Sequence, residues 1–253
     1  MLIGVIHLPP LPGSPRHVLS MDEIIARALA DAAALRDAGF HAAIVENFGD
    51  APFLPGAAEP ATLACMAVAA REVRLRSGLR VGVNVLRNDA TGALGVAVAA
   101  GAEFIRVNIY VGVAATDQGV IEGAAARTLR YRRQLGAAID VFADVDVKHA
   151  RSLSHRDIAQ AAKDAAYRGL ASALIVTGPA TGEPVDLDEV RRVKEAVPDR
   201  PVLVGSGATA ESVRSLLAAC DGVIVGTGIK RDRRPESPID TELAKRFVAA
   251  ARA

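Results

Sequence analysis

The chain has 253 residues, a formal net charge of +1 from 30 basic and 29 acidic side chains, and 51% hydrophobic residues without a tryptophan. That length suits one domain with a large core, and the charge balance gives neither nucleic acid nor an anionic membrane surface a reason to bind. The opening MLIGVIHLPPLPG has no basic leader and no apolar run reaches about 18 residues, so neither a signal peptide nor a membrane insertion is expected.

Leu2 to His7 (LIGVIH) predicts a strand buried on both faces, closed by a proline-rich stretch, Leu8 to Pro15, that suits neither helix nor sheet. Ser20 with Glu23 three residues on forms a capping box, and Ile24, Ala28, Ala32 and Leu35 give the helix an apolar face before Gly39 stops it. His41 to Val45 reads as the second strand and opens into a long loop, Glu46 to Phe53 (ENFGDAPF), of a kind more often functional than idle. Thr62 to Arg76 is expected to be helical, Arg80 to Leu86 a strand, Asp89 to Ala100 a helix, and Glu103 to Ile109 the fourth strand. The loop Thr116 to Gly119 introduces a predicted helix from Val120 to Leu135, whose basic RTLRYRR segment reads as a solvated face.

Ile139 to Val147 predicts strand five, Ser154 to Arg168 a helix, Ser172 to Thr177 strand six, and Val185 to Val197 the next helix. Pro201 to Lys230 then runs strand, helix, strand: PVLV and GVIV each end in a glycine-flanked turn, Gly205-Ser206-Gly207 and Gly226-Thr227-Gly228. Asp240 to Ala250 supplies the last helix. Strands and helices alternating eight times, with no linker between them, predict an α/β protein with a single (β/α)8 TIM barrel over residues 1–253. An open doubly wound sheet is the rival architecture. Cys65 and Cys220 lack CxxC spacing or a nearby histidine cluster, so both read as buried thiols of a reducing, cytoplasmic setting.

In a barrel of this kind the working face is the carboxyl end of the strands. His7, Glu46, Asp144 and Lys148 are the candidates there for acid–base work, and Asn84, Arg106, Asn108 and Thr177 for orienting a substrate. So many polar strand ends are too costly to bury unpaired, which favours a wet pocket. Asp144, Asp146 and Lys148 alternate along strand five and so share one face, where Lys148 would act as a general acid, an imine former or an ion-pair partner. Glu46 with Asp144 or Asp146 would suit Mg²⁺ or Mn²⁺, but no spacing singles out a metal site, and the cofactor stays open. Gly205, Ser206, Gly207, Gly226, Thr227 and Gly228 form the expected seat for a phosphate, with Lys230 as a screening charge. The alternative is that both turns are only tight corners between strand and helix.

The segments GVIHLPPLPGSP, VENFGDAPF, GVNVLRND, IRVN, TDQG, ADVDVKHA, ALIVTGPATG, VLVGSG and DGVIVGTGIKRD together resemble the BtpA/SgcQ family over nearly the whole chain. HLPPLPG and VKHA are its distinctive marks, whereas GSG and GTG are shared by many phosphate-binding barrels. The resemblance implies a barrel of the ribulose-phosphate-binding type, with the phosphate role falling on the two glycine turns. The family's name-giving member is linked to photosystem I biogenesis at thylakoid membranes. No catalytic residue carries over, and the family pattern has a histidine in many members where this chain has Asp146.

Two functions therefore stand open. The first is a cytoplasmic enzyme that binds a small phosphorylated sugar or phosphoribosyl compound and catalyses acid–base isomerisation or carbon–carbon cleavage. The second is a non-catalytic assembly factor that uses the barrel as a scaffold. In either case the chain is a candidate homo-oligomer, with the Phe48 and Phe53 segment as one contributor.

Overall fold

Strands that are apolar on both faces must be covered on both sides. The computed structural model, which describes residues 1–146, 150–154, 157–178 and 183–253, closes eight of them into a parallel barrel. In chain order the elements begin β1 (Leu2–His7), α1 (Met21–Ala38), β2 (Ala42–Glu46), α2 (Pro60–Ser77), β3 (Arg80–Asn84), α3 (Ala90–Ala100) and β4 (Phe104–Val107). Then come β5 (Val113–Thr116), β6 (Gly119–Glu122), α4 (Ala125–Gln134), β7 (Asp140–Val145), β8 (Ala150–Ser152) and α5 (Ile158–Lys163). The chain ends with β9 (Ala173–Val176), α6 (Leu187–Ala196), β10 (Val202–Val204), α7 (Val213–Leu217), β11 (Gly222–Val225) and α8 (Thr241–Arg252). Around the barrel the order is β1, β11, β10, β9, β7, β4, β3, β2, so the closed TIM barrel expected from the sequence is the observed fold and the open sheet is excluded.

Alternation sorts each strand's residues between an interior plug and an outer shell. Ile3, Val5, Ile44, Phe104, Phe142, Ile175, Leu203 and Ile224 fill the interior, where the Phe104 and Phe142 rings stack 4.5 Å apart. Gly82 makes that possible, since a Cβ there would lie 2.1 Å from the Phe104 ring. Outward residues such as Leu2, Val45, Val83 and Val204 meet Leu35, Ala69, Leu94 and Phe247 of the helical ring in one continuous core. Each such side chain, fully buried, is worth roughly 1.5–3 kcal/mol.

Local signals place the first helix as the sequence predicts. Ser20 Oγ accepts from Glu23 N–H at 3.3 Å, Glu23 Oε2 accepts from Ser20 N–H at 2.8 Å, and Gly39 closes α1 at φ 91°. The region after β4 departs from expectation. Val120 belongs to no helix: Gly119, at φ 101°, turns a hairpin between β5 and β6, and α4 begins only at Ala125. The antiparallel β6–β5–β8 sheet stands apart from the barrel and covers a small cluster of Ile109, Ala114 and Ile121. Ser154, expected to open a helix, instead binds β5 through Val113 N–H, and Asp157 caps α5. Cys220 is buried as expected, while Cys65 is only half-buried.

Candidate functional site

The interior positions one step above the apolar plug form the barrel mouth. Adding two residues to Val5, Ile44, Gly82, Phe104, Phe142, Ile175, Leu203 and Ile224 gives His7, Glu46, Asn84, Arg106, Asp144, Thr177, Gly205 and Gly226. Six strands thus end in polar side chains and the last two end in glycine. All eight positions belong to residues named from sequence as site candidates, and the fold gathers them into one layer.

On β1 to β3 the register sets His7, Glu46 and Asn84 side by side. Glu46, 6% exposed, accepts from Asn84 Nδ2 at 2.6 Å, and its other oxygen faces His7 Nε2 at 3.7 Å. His7 Nδ1 lies 3.1 Å from the Pro235 carbonyl, so Nδ1 carries a proton and, in the neutral ring, Nε2 presents its lone pair toward Glu46. A hydroxyl or acidic C–H that approaches the pair from the mouth reaches two acceptors set 3.7 Å apart.

On β4 and β7 the Arg106 guanidinium grips Asp144 with two bonds of 2.9 Å, and Asn108 Nδ2 donates to the same carboxylate at 2.9 Å. Burial alone would lower the Arg106 pKa, but the Asp144 carboxylate outweighs it and holds the guanidinium above its ordinary value. Asn108 Oδ1 is buried and has no hydrogen-bond partner among the described residues. Thr177 Oγ1 donates to the Asp146 carbonyl at 3.3 Å.

Strand five does not run on as the alternation suggested. β7 ends at Val145, and Asp146 takes a left-handed conformation at φ 51°, which breaks the shared face with Asp144. Lys148, the fourth acid–base candidate, lies outside the described residues.

The glycine turns are built differently from the rest of the mouth. Gly205 N–H continues the sheet by donating to Val176 O at 2.8 Å, so that amide is already used. Ser206 Oγ likewise accepts from Gly178 N–H at 2.7 Å. Gly207 sits at φ 68°, and a Cβ there would lie 2.1 Å from Glu183 O. A Cβ at Gly228 would lie 2.2 Å from Ala208 O, so the turns after β10 and β11 touch backbone to backbone. The N–H groups of Ser206, Gly207, Thr227 and Gly228 donate to no acceptor among the described residues. Lys230, expected as a screening charge for this seat, points elsewhere. It is 1% exposed, donates to Pro235 O and Ser237 O at 2.9 and 3.0 Å, and faces Asp31 at 3.8 Å. Burial pushes its ammonium below the usual lysine range, against the pull of Asp31 and Glu46.

Arg87 is the residue that sequence reasoning passed over. Only 5% exposed just past β3, it feels Asp117 at the hairpin tip together with Asp144 and Glu46, while burial lowers its pKa. Its signal was an arginine directly after a strand end, in VLRND. Asn47 and Asp50 of the long loop are structural ties: Asn47 Oδ1 accepts from Leu86 N–H at 2.7 Å, and Asp50 Oδ1 accepts from Leu11 N–H at 2.7 Å. Among the described residues no three His, Cys, Asp or Glu side chains gather into a metal seat.

The family model of the BtpA family matches residues 1–253. The chain belongs to the BtpA family. An uncharacterized protein of Thermococcus kodakarensis is 48% identical over 99% of this chain and 95% of its own. The photosystem I biogenesis protein BtpA of Synechocystis is 43% identical over 98% of this chain and 87% of its own. A mitochondrial protein of Caenorhabditis elegans is 33% identical over 98% and 91%. Among solved structures, the fold is similar to orotidine 5'-phosphate decarboxylase from Pyrococcus horikoshii, with a TM-score of 0.63 at 14% identity over 100% of both chains. N-(5'-phosphoribosyl)anthranilate isomerase from Pyrococcus furiosus gives a TM-score of 0.59 at 14% identity over 100% of this chain and 98% of that one. These likenesses show that this BtpA-family chain has the same barrel fold as those two structures. No helix among the described residues is long and apolar enough to cross a membrane.

Proposed function

We propose that the protein is an enzyme for a small phosphorylated sugar or phosphoribosyl compound, catalysing acid–base isomerisation or carbon–carbon cleavage. One observation carries the reading: the mouth layer is polar on six strands and reduces to glycine on the two whose turns meet backbone to backbone. A phosphate on the amides of Ser206, Gly207, Thr227 and Gly228 leaves the rest of the molecule facing side chains able to move protons. Gly205 and Gly226 then serve the seat by keeping side chains out of it, and the Gly205 N–H is taken by the sheet.

In this reading Glu46 takes a proton from a carbon beside a carbonyl, and His7 exchanges it with the neighbouring oxygen. Arg106, fixed by Asp144, polarises that carbonyl, Asn108 and Asn84 hold hydroxyl groups, and Thr177 lines the wall. Lys148 keeps its expected role as acid or imine-forming amine. Two barrels of the same fold carry names that contain phosphoribosyl and 5'-phosphate, which supports the ligand class. Cytoplasmic residence and self-association belong to the same proposal.

The Synechocystis relative's name favours a second reading, an assembly factor with the barrel as scaffold. A relative in a nematode, which has no photosystem to assemble, argues for a chemistry shared more widely. A thermal-shift screen of phosphorylated metabolites separates the two. A ligand at about 100 times its Kd adds about 2.7 kcal/mol, roughly 5–10 °C for a chain of this size. The enzyme reading further expects Glu46→Gln to abolish turnover of the compound that shifts the melting point. No shift with any sugar phosphate leaves the scaffold reading.

A further inference from the structure

A recess of about 490 Å³ opens beside the mouth, between the loop after β1, helix α1 and residues 235–238. Its walls are Leu8, Pro9, Pro10, Phe48, Pro235 and Pro238, and its boundary with the mouth is His7. The imidazole serves both spaces. Its Nε2 faces Glu46 within the mouth, while its ring packs on Phe48 at 4.6 Å, a residue of the recess wall. Gly226 adjoins the same imidazole, since a Cβ there would lie 3.1 Å from His7 Cε1. The turn after β11, the proton-handling pair and the recess are therefore consecutive.

The recess is held open by its frame. Leu8 N–H donates to Glu46 O at 2.8 Å, Gly49 N–H to Leu8 O at 3.1 Å and Arg16 to Gly49 O at 3.1 Å, which locks the two loops together. The opposite wall is fixed by the buried Lys230, through its bonds to Pro235 O and Ser237 O. Prolines and tied backbone resist inward collapse, and a largely apolar lining offers water few hydrogen-bond partners. A flat apolar group displaces such water favourably. Of the charged side chains on its lining, Arg16, Arg27 and Glu236 are exposed at the rim, while Asp31 is buried against Lys230.

We propose that this recess takes a flat ring carried by the phosphorylated sugar, so that the substrate is a phosphosugar bearing an aryl or heteroaryl group rather than a bare sugar phosphate. The inference rests on the phosphate reading of the glycine turns and adds the substrate's other half. His7, between ring and sugar, then lies at the bond or carbon where the two join.

Calorimetric titration with ribose 5-phosphate, uridine 5'-monophosphate, adenosine 5'-monophosphate and the two unphosphorylated nucleosides tests it. At least one nucleotide is expected to bind tenfold or more tightly than ribose 5-phosphate. Ala30 lines the recess from the exposed face of α1, so Ala30→Trp fills it without touching the core. The variant is expected to cancel the nucleotide's advantage and leave ribose 5-phosphate within twofold of the wild type. Nucleotides no tighter than ribose 5-phosphate, or equal weakening of both by Ala30→Trp, overturn the recess assignment alone. Nucleoside binding that Ala30→Trp removes, with ribose 5-phosphate inert, upholds the recess and overturns the phosphate seat. No binding by any of the five overturns both.

Discussion

The two halves of the barrel mouth are made of different material. From β1 through β7 the layer is side chain against side chain, with Glu46 on Asn84, and Asp144 on Arg106 and Asn108, each group buried with a partner. At β10 and β11 it is backbone against backbone, with Gly228 on Ala208 and Gly207 on Glu183. The first half is vulnerable to deletion, because a removed side chain strands a buried partner. The second is vulnerable to addition, because a single methyl group has no room.

The largest expected effect breaks the first half. Arg106→Ala leaves Asp144, whose side chain is 0% exposed, without its guanidinium partner and held by Asn108 alone among its direct hydrogen-bond donors. A loss of about 3–5 kcal/mol in urea unfolding is expected, with much of it recovered in an Arg106→Met, Asp144→Leu double variant. A single-variant loss below about 1 kcal/mol would mean that the pair contributes no such coupling.

The next sharpens the contrast at the second half. Gly228→Ala pushes a methyl group against a fixed carbonyl, and about 1–3 kcal/mol of stability should be lost. Gly95→Ala, in α3 where the added Cβ meets nothing within 4 Å, should gain roughly 0.5–1 kcal/mol. Equal melting points for the two variants would erase the distinction between a crowded turn and an ordinary glycine.

The smallest effect lies at the seam between the halves, where Asp31 on α1 meets Lys230 beyond β11. Burial raises the Asp31 pKa above its ordinary value, with Lys230 opposing. Between the unfolded and the raised folded pKa the folded state holds more protons than the unfolded chain. This group's contribution to stability therefore falls as pH climbs through that window, by at most about 1.4 kcal/mol per unit of separation. Denaturant unfolding between acidic and neutral pH should show that slope in the wild type and not in Asp31→Asn. An identical pH profile in both proteins would remove Asp31 as its source.

Much of this was legible in the chain itself. A capping box at Ser20 and Glu23, a stop at Gly39 and apolar runs ending in polar residues are local or periodic signals, and they yielded the barrel and its mouth layer from His7 to Gly226. Where local signals conflicted the reading failed. Val120 and Ile121 satisfy a helix as readily as a strand, and only the pairing of β5 with β6 and β8 decided for the strand.

Sequence alone thus determined the eight residues of the mouth layer, because a period of two assigns every strand side chain to the interior or the shell, but it carried strand five past Val145, where the strand stops. It could not assign partners. That Lys230 turns to Asp31 and the Pro235 loop, that Asp144 is gripped by Arg106, and that Arg87 is drawn in among carboxylates depend on strands distant in the chain. Those choices were made by burial, which obliges each charge to find its counter-charge wherever closure of the barrel happens to bring one within reach.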